Sequence, residues 1–430
     1  MSLDTFDVVV VGARIAGSAL SYQLGLRGWK VALIERGRRP LGGTLSVPIN
    51  FPRALVQFRE LGLFPAIEQV VPRLQKIKTL HMQITSDITI KGPIPVYGGF
   101  DYGYILRREL FDDVLLGYVL QQQPAITFFE GWTVVDLLYK GEQAAGVRIQ
   151  QRLDTEEHGL HIRELYAPFV VGADGRFSKV AQLVAAKDYN VRTSYTTLFY
   201  SHCEGIDMTG LGEVAFVPAK DHRLVVFSDT GDGVQVISVF FPVDQYRQFQ
   251  HQSAAELQAT WQSVPLLQDR LDNLQLHGKI MGLAPQPGYF RPAGGPGWAL
   301  VGDATHFKDP ASGQGFYDAL FTVQQTLEAL DMATGGTPLT AKAASQIWPE
   351  AAALMQQKRD RALQPMYAFT YQFGESLTRE PTRLERALLR TIARDPNVTR
   401  QFFGISSGST DVRAFNRAAP LYLLRGLFSK

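Results

Sequence analysis

Three acidic residues occupy positions where a carboxylate can bind the hydroxyl groups of a sugar or sugar alcohol. Glu35, Asp174 and Asp303 each follow a short, strongly apolar segment that is typical of a buried β-strand. The carboxyl ends of parallel strands meet at one edge of an open α/β sheet, and such sheets bind their ligands there. Each acid alone also fits a residue that merely caps a strand. The three together predict one ligand site.

A glycine-rich turn after the first apolar segment adds a phosphate-binding element. Gly12 and Gly17 flank the start of a predicted helix, and Glu35 ends the next strand about 20 residues on, as in dinucleotide-binding units. The helix N-terminus offers free N–H groups and a positive dipole end to a pyrophosphate. Arg14 replaces the usual middle glycine, so we expect its side chain to point away or to lie along the pyrophosphate. Arg36 is a further candidate for contact with the cofactor. A βαβ unit without a ligand is the alternative for this turn alone.

A second glycine-rich turn lies between Asp303 and a long predicted helix. It contains Gly313, Gln314 and Gly315. The helix start offers N–H donors and a positive dipole end to an electron-rich ring oxygen. NAD has neither a ribityl chain for Asp303 nor a reducible tricyclic ring for this turn, whereas FAD has both. The sequence therefore predicts non-covalently bound FAD.

Apolar patterns define the elements that must position these residues. The predicted strands of a parallel sheet are Phe6–Val11, Lys30–Ile34, Ala167–Ala173 and Trp298–Val301. A helix runs from Phe177 toward Ala186. The helix after the second turn has one apolar face, formed by Phe316, Leu320, Val323, Leu327 and Leu330. An antiparallel sheet is indicated by the alternating segments Thr196–Tyr200, Glu213–Val217, Leu224–Phe227 and Val234–Phe241.

We therefore predict an α/β fold in three parts. A Rossmann-like FAD-binding domain with a parallel sheet comprises residues 1–75, 97–189 and 286–330. An inserted antiparallel β-sheet substrate domain comprises residues 76–96 and 190–285. A helical C-terminal extension comprises residues 331–430, and we expect its basic amphipathic end to pack on the FAD domain.

The chain resembles the p-hydroxybenzoate hydroxylase-like (group A) FAD-dependent monooxygenases, which are related to the geranylgeranyl reductases and flavin halogenases. The similar stretches are GARIAG (12–17), ILRRELFDDVLL (105–116), VVGADGRFSKVA (170–181) and ALVGDATHFKDPASGQGFYDAL (299–320). The resemblance implies that Gly12, Gly17 and Glu35 bind the ADP half of FAD. It also implies that Asp174 belongs to a motif linked to both FAD and the nicotinamide cofactor, while Asp303 holds the ribityl chain.

The same resemblance implies two further contacts with the cofactor. Pro310, Gly313, Gln314 and Gly315 would line the isoalloxazine ring. An arginine at the start of a helix contacts FAD in the pattern R-x-x-[LF]-D-x-x-L. Arg108 fits that pattern best, and Arg107 is its rival.

The resemblance implies an FAD-dependent monooxygenase. Such an enzyme uses NAD(P)H as a transient co-substrate and O2 to hydroxylate or epoxidise an aromatic or polyunsaturated small molecule through a C4a-hydroperoxyflavin. The loop at 308–315 is more similar to the hydroxylase version than to the reductase version, and the paired tryptophans of flavin halogenases are absent. Two alternatives stay open. One is an FAD-dependent reductase of an isoprenoid or other alkene, and the other is a non-catalytic flavin-binding protein whose pocket is blocked by Arg14 or the tail.

The sequence indicates the residues that contact the substrate less clearly than those that bind the cofactor. His306 and Asp309 lie in the loop nearest the flavin, where either can orient a substrate or relay a proton, so both are candidate catalytic residues. Hydrogen bonding within that loop is the alternative. Four aromatic residues are candidates for the pocket walls, with core packing as the alternative for each: Phe199, Phe227, Phe240 and Tyr317.

Composition limits the classes of binding partner and the cellular compartment that we expect. A formal net charge of +2 gives no reason to expect a nucleic-acid partner, and a single cysteine, Cys203, suits the cytoplasm. No stretch reaches the ~20 apolar residues of an integral membrane segment. No Cys/His spacing suits a metal, and the charged stretch with Glu156, His158 and His161 indicates a solvated hairpin. The oligomeric state is left open.

Overall fold

The computed structural model describes residues 4–42, 49–152 and 160–428. Its α-helices are α1 (Ile15–Leu26), α2 (Pro52–Glu60), α3 (Phe64–Glu68), α4 (Arg108–Gln122), α5 (Lys179–Leu183), α6 (Tyr246–Gln262), α7 (Gly315–Thr334), α8 (Ala341–Gln346), α9 (Trp348–Ser376), α10 (Arg383–Arg394), α11 (Pro396–Ser407) and α12 (Val412–Phe428).

The strands are β1 (Asp4–Thr5), β2 (Val8–Val11), β3 (Val31–Glu35), β4 (Ile49–Asn50), β5 (Lys76–Ile77), β6 (Thr79–Thr85), β7 (Ile88–Pro93), β8 (Gly103–Ile105), β9 (Ile126–Glu130), β10 (Thr133–Lys140), β11 (Gln143–Arg152), β12 (Leu160–Tyr166), β13 (Val170–Gly172), β14 (Tyr189–Arg192), β15 (Thr196–Glu204), β16 (Val214–Ala219), β17 (Arg223–Asp229), β18 (Gln235–Pro242), β19 (Gln275–Gly282), β20 (Gly288–Phe290), β21 (Gly294–Gly295), β22 (Trp298–Leu300) and β23 (His306–Phe307).

A six-stranded sheet carries the predicted cofactor edge. Its order is β21-β22-β13-β2-β3-β9, and all neighbours are parallel except β21 and β22. All four valines of β2 are buried. Val8 and Val10 pack with α1, α4 and α7, whereas Val9 and Val11 pack with the sheet β1-β12-β11-β10. The α/β architecture and the four predicted strands are therefore confirmed, with ends shifted by three residues or fewer.

A seven-stranded sheet lies beside this core in the order β19-β15-β18-β17-β16-β6-β7. The expectation of a wholly antiparallel sheet is wrong at one pair, because β6 and β16 run parallel. The segment that supplies β6 comes from much earlier in the chain, so no short hairpin forces it to run opposite to β16. One face of the sheet packs on α6 through an aromatic cluster that includes a stacked pair, Phe241 and Phe249.

The predicted helical region forms α8 to α12 and is integral to the fold. Trp348 at the start of α9 is fully buried, contacts Phe169 edge-on at 5.0 Å, and donates from its indole N–H to the carbonyl oxygen of Trp298 at 2.8 Å. The basic end of the chain lies in α12. Contrary to expectation, α12 packs chiefly on α9, α10 and α11 rather than on the FAD domain.

Two further sequence predictions concern the surface. The charged stretch begins in β11 and ends in β12, which pair as antiparallel neighbours and place His161 in β12. Glu156 and His158 lie outside the described residues. No helix in the described part of the chain combines the length and the apolar character that crossing a bilayer requires.

Replacing Trp348 tests whether α9 belongs to the core beside the six-stranded sheet. Trp348→Ala should lower the free energy of unfolding by about 3–5 kcal/mol, because it removes a large buried ring and leaves a cavity. Leu354→Ala, at a 53% exposed position on the same helix, should change it by less than about 0.5 kcal/mol. Urea unfolding followed by fluorescence measures both. Equal stability of the two variants would contradict this packing.

Candidate active site

One cleft of about 620 Å³ brings the predicted motifs together. It lies between the carboxyl edge of the six-stranded sheet, one face of the seven-stranded sheet, and helices α9 and α11. Its volume is in the range of small-molecule and cofactor sites. All the predicted cofactor and catalytic residues line it except Gly17, which lies behind the first turn: Gly12, Arg14, Glu35, Arg36, Arg108, Asp174, Asp303, His306, Asp309, Pro310, Gly313, Gln314 and Gly315.

The first glycine turn presents the N-terminus of α1 to the cleft. Gly12 has a φ of +100°, and a Cβ at Gly17 would lie 1.7 Å from the carbonyl oxygen of Gly12. Only glycine at both positions lets the helix approach the strand this closely. Arg14, the N-cap residue, makes no side-chain hydrogen bond to the first turn. The first-turn N–H groups of α1 are thus available to an anionic ligand.

Arg14 does not crowd the turn, because its side chain is held by Asp112. Its Nη1 donates to Asp112 Oδ2 at 2.8 Å. Arg108 binds the same carboxylate through two hydrogen bonds of 2.6 and 2.7 Å. The Asp112 side chain is fully buried, so two guanidinium groups share one carboxylate and leave a net positive charge beside the N-terminus of α1. The i,i+4 spacing of Arg108 and Asp112 was the sequence signal for this cluster. Arg107 lies outside the cleft, at 3.8 Å from Asp232.

Glu35 occupies the expected strand end, but it is not a surface acid. It is 6% exposed, and its carboxylate accepts hydrogen bonds from the backbone N–H groups of Ala13 at 3.0 Å and Gly37 at 2.9 Å. Glu35 therefore has a structural role in addition to the predicted role in ligand binding. Its oxygens hold the glycine turn in place while facing the cleft, and the neighbouring Arg36 is exposed at the rim.

Asp174 caps the short helix that follows it. Its carboxylate accepts hydrogen bonds from the backbone N–H groups of Lys179 at 2.6 Å and Val180 at 3.2 Å, and from the hydroxyl of Ser178. Burial raises the pKa of Asp174, and these donors oppose that rise. The helix begins at Lys179 rather than Phe177, because residues 175–178 are used for the turn and the cap.

Asp303 also lines the cleft, and the charge of Arg108 acts on its carboxyl group. Burial raises the pKa of its carboxyl group to about 6, although Arg108 acts in the other direction. Its backbone carbonyl oxygen accepts a hydrogen bond of 2.6 Å from the hydroxyl of Tyr289, which fixes the turn. A carboxylate held in this way is well placed to accept hydrogen bonds from ligand hydroxyl groups.

The second glycine turn presents the N-terminus of α7 to the same cleft. Gly313 has a φ of +63°, and a Cβ on Gly315 would meet no atom within 4 Å. Gln314, the N-cap residue, makes no cap hydrogen bond, and its buried Oε1 has no partner in the described chain. Two uncapped helix N-termini therefore face one cleft, and the unpaired amide oxygen of Gln314 adds an acceptor beside one of them. The N–H donors of the two helices fit the pyrophosphate and the electron-rich ring edge of FAD.

Sequence reasoning missed a buried ion pair behind this turn. Lys308 donates to Asp318 on the first turn of α7, and Lys308 lowers the pKa of Asp318 to about 2 against the effect of burial. The ring of His306 is fully buried, its Nδ1 donates to the carbonyl oxygen of Tyr289 at 3.1 Å, and burial lowers its pKa. The ion pair could not be predicted because the sequence shows Lys308 only as part of the loop motif. It shows Asp318 only as one polar residue in an apolar helix.

Asp309, the other candidate catalytic residue, caps its own loop. Oδ1 accepts a hydrogen bond from the backbone N–H of Ala311 at 2.9 Å and one from the Thr196 hydroxyl at 3.4 Å. Oδ2 is buried and has no partner in the described chain. Burial raises the pKa of Asp309 to about 6, so this group can hold or release a proton near neutral pH.

The rest of the cleft is apolar. Its walls come from the seven-stranded sheet and from α9 and α11: Leu80, Met82, Leu198, Tyr200, Phe216, Val226, Ser228, Val236, Ser238, Phe240, Leu283, Phe369, Phe373, Phe402, Phe403 and Ser406. Of the four predicted wall aromatics, only Phe240 lines the cleft. Phe199 and Phe227 pack on the opposite face of the sheet, since successive strand residues face opposite sides. Tyr317 packs against Arg53 instead.

Comparison with known proteins agrees with this geometry. A family profile described as an FAD binding domain matches residues 5–261. Digeranylgeranylglycerophospholipid reductase of Methanococcus aeolicus is 24% identical over 324 residues, which cover 73% of this chain and 74% of that protein. Squalene monooxygenase of Rattus norvegicus is 26% identical over 190 residues, covering 44% and 32%. The solved structure of the flavin-dependent brominase Bmp2 superposes with a TM-score of 0.76 at 17% identity, covering 97% of this chain and 99% of that one.

Removing the Asp303 carboxylate should weaken the binding of FAD but not the binding of ADP. Asp303→Ala should weaken FAD binding by ~1.5–3 kcal/mol, the range for hydrogen bonds to a charged group. ADP has no ribityl chain, so its affinity should stay within about twofold of the wild-type value. Calorimetric titration of the apoprotein with each ligand measures both. Wild-type FAD affinity in the variant, or an equal loss for ADP, would show that Asp303 does not bind the ribityl chain.

Asp309 should make stability depend on pH. Its pKa is about 6 in the folded protein and 3.8 in the reference state, so the folded protein binds this proton more tightly. The free energy of unfolding of the wild type therefore falls as the pH rises from 3.8 through about 6. Asp309→Asn should not show this fall, because asparagine does not bind the proton. Between pH 5.0 and 7.5 the stability of the variant relative to wild type should increase by about 1.4 kcal/mol. Urea unfolding at both pH values measures it, and a pH-independent difference would contradict the assignment.

Proposed function

Because the chain belongs to the FAD-binding domain family of flavoproteins, we propose that it is an NAD(P)H-dependent FAD monooxygenase acting on an apolar aromatic or polyunsaturated molecule. The proposal is supported above all by the division of the cleft into a charged half and an apolar half. Every charged side chain that lines it in the described structure belongs to the cofactor half. The half formed by the seven-stranded sheet, α9 and α11 offers only apolar groups and a few hydroxyls.

The cofactor half has a group for each part of FAD. The N-terminus of α1 and the Arg14–Asp112–Arg108 cluster would hold the pyrophosphate, Asp303 the ribityl chain, and the N-terminus of α7 the ring edge. Bound FAD would supply hydride acceptance from NAD(P)H and reaction with oxygen. The positive dipole end of α7 would favour negative charge on the ring.

The apolar half would exclude water and orient the substrate. Phe240 from β18 and Phe369, Phe373, Phe402 and Phe403 from the C-terminal helices surround it. Tyr200, Ser228, Ser238 and Ser406 are its polar exceptions and can hydrogen-bond at most a few substrate atoms. A wall of this kind favours a bulky apolar molecule and protects a reactive oxygen species from water.

Asp309 is the residue we assign to proton handling. Asp309 lines the cleft next to Pro310, its buried Oδ2 has no partner in the described chain, and its pKa of about 6 suits proton transfer near neutral pH. His306 is better suited to a structural role. Its ring lies 4.2 Å from that of Phe290, and its Nδ1 already donates to a backbone carbonyl oxygen.

Two other functions make different use of the same cleft. An alkene reductase is favoured by the broader match to the archaeal reductase, which spans 73% of this chain, against 44% for squalene monooxygenase. Monooxygenation is supported by the hydroxylase-like loop at 308–315. A non-catalytic role required Arg14 or the tail to fill the cleft, but Arg14 is held against Asp112.

Labelled oxygen distinguishes these functions. The FAD-loaded enzyme is mixed with NADH or NADPH, ¹⁸O2 and a panel of polyisoprenoids and alkylated aromatic compounds. We expect one labelled oxygen atom in a product and faster flavin reduction when that substrate is present. A saturated alkene without label would establish the reductase. Failure of both nicotinamides to reduce the flavin would favour the non-catalytic role.

Two neighbours on β18 provide the matched control for the apolar half. Phe240→Leu changes the cleft wall and should lower kcat/KM for the accepted substrate about tenfold, the effect of a poorly filled apolar pocket. Phe241 faces α6 on the other side of the sheet, so Phe241→Leu should lower stability while leaving kcat/KM within about twofold. Equal kinetic effects would show that Phe240 does not contact the substrate.

A further inference from the structure

The positive charge of the chain is concentrated in its last helices. Residues 377–430 contain ten lysine and arginine side chains and four acidic ones, which gives this segment a net charge of +6. The whole chain has a net charge of +2, so the preceding residues together carry −4. The net charge of the whole chain does not reveal this difference. The C-terminal segment is positive, whereas the rest of the chain is negative.

Helix α12 combines this charge with exposed leucines. Leu421 and Leu424 are 62% and 50% exposed, and Arg417 and Arg413 are exposed one and two turns before Leu421. The spacing of these four residues places them along one side of the helix. The opposite side is buried through Val412, Phe415, Tyr422 and Gly426. No acidic residue occurs from 412 to 430.

Helix α10 packs against the buried side of α12. Its Thr391 hydroxyl donates to the carbonyl oxygen of Tyr422 at 2.7 Å, and Ala387 packs against Gly426, so the other side of α12 is left exposed. We call the surface formed by Arg413, Arg417, Leu421 and Leu424 the basic face.

Two of the three arginines of α12, Arg413 and Arg417, have no carboxylate partner within the described chain, whereas Arg425 pairs with Asp395 at 3.6 Å. Arg413 and Arg417 donate only to backbone carbonyl oxygens, those of Arg361 at 3.0 Å and of Arg413 at 3.4 Å. Other arginines nearby have carboxylate partners, such as Arg390 with Asp87 at 3.0 Å. The basic face therefore keeps free positive charge beside leucines that remain in water.

We propose that the basic face docks on the surface of an anionic lipid bilayer. Cations along one side of a helix with apolar side chains among them match an interfacial helix, which inserts its apolar groups and attracts anionic headgroups. A nucleic acid would satisfy the arginines but would leave Leu421 and Leu424 exposed. The proposal needs no membrane-spanning segment, and none of the described helices provides one.

Docking here would place a lipid surface close to the apolar half of the cleft. Helices α12 and α11 lie between the two, because Phe415 on the buried side of α12 contacts Phe402 of α11 at 6.1 Å, and Phe402 lines the cleft. An apolar substrate dissolved in the bilayer would then be two helices away from its site. Vesicle binding is measured without turnover, so it stands or falls independently of the proposed function.

Sedimentation with lipid vesicles tests the proposal on the full-length, FAD-loaded protein. Vesicles of phosphatidylcholine with 30% phosphatidylglycerol should bind the protein at least about tenfold more strongly than pure phosphatidylcholine at low salt, and added salt should weaken this binding. Binding that ignores lipid charge would overturn the proposal. Duplex DNA that binds more tightly than the anionic vesicles would also overturn it, in favour of a nucleic-acid partner.

Two double variants locate the contact. Leu421→Asn with Leu424→Asn, and separately Arg413→Gln with Arg417→Gln, should each reduce partitioning onto anionic vesicles about tenfold. Leu276→Asn, at a 41% exposed position on β19, should leave it unchanged. Unfolding temperatures and FAD content should match wild type because all these side chains are exposed. Wild-type partitioning in either double variant, with the fold intact, would show that the basic face is not the contact.

Discussion

The structure depends on the unpaired backbone N–H groups at the start of two helices, α1 and α7, which face the same cleft. Such groups must find partners or remain in water, and neither helix supplies a capping side chain. The parallel sheet makes this convergence possible, because each helix begins just after a turn at the carboxyl edge. Gly17, with no side chain, lets α1 pack against Gly12. Buried polar groups then hold the turns rigid, notably Glu35 on one side and the Lys308–Asp318 pair on the other.

The rigid, charged cofactor half of the cleft also accounts for the apolar character of the other half. A site that binds a charged dinucleotide must be polar, whereas the reaction with oxygen that we propose would favour a space without water. The chain would meet both needs because different elements supply the two halves. The parallel-sheet domain contributes the ion pairs and helix ends, and the second sheet, α9 and α11 contribute aliphatic and aromatic side chains. The C-terminal helices are thus part of the site as well as of the core, to which Trp348 attaches them.

The sequence predicted the parallel sheet and the cleft-lining residues well because both follow from local patterns. Valine runs such as Val8–Val11 mark buried strands, and acids and glycines at fixed offsets mark their ends. Three features depended on tertiary contacts and were missed. The partner of Arg14 is Asp112, 98 residues away. The burial of Glu35 follows from the turn that folds over it. The side of the second sheet that faces the cleft depends on strand register, which separates Phe240 from Phe199 and Phe227 although all three have the same composition signal.

A crystal structure of the FAD-loaded protein tests the central claim most directly. The account predicts one dinucleotide per chain, with its pyrophosphate within hydrogen-bond distance of the first-turn N–H groups of α1. Its ribityl chain should contact Asp303, and its ring edge should lie at Gln314 and Gly315, facing Phe240. Density for FAD in which either helix N-terminus remains without contact to the cofactor would contradict the claim that both were built to hold it.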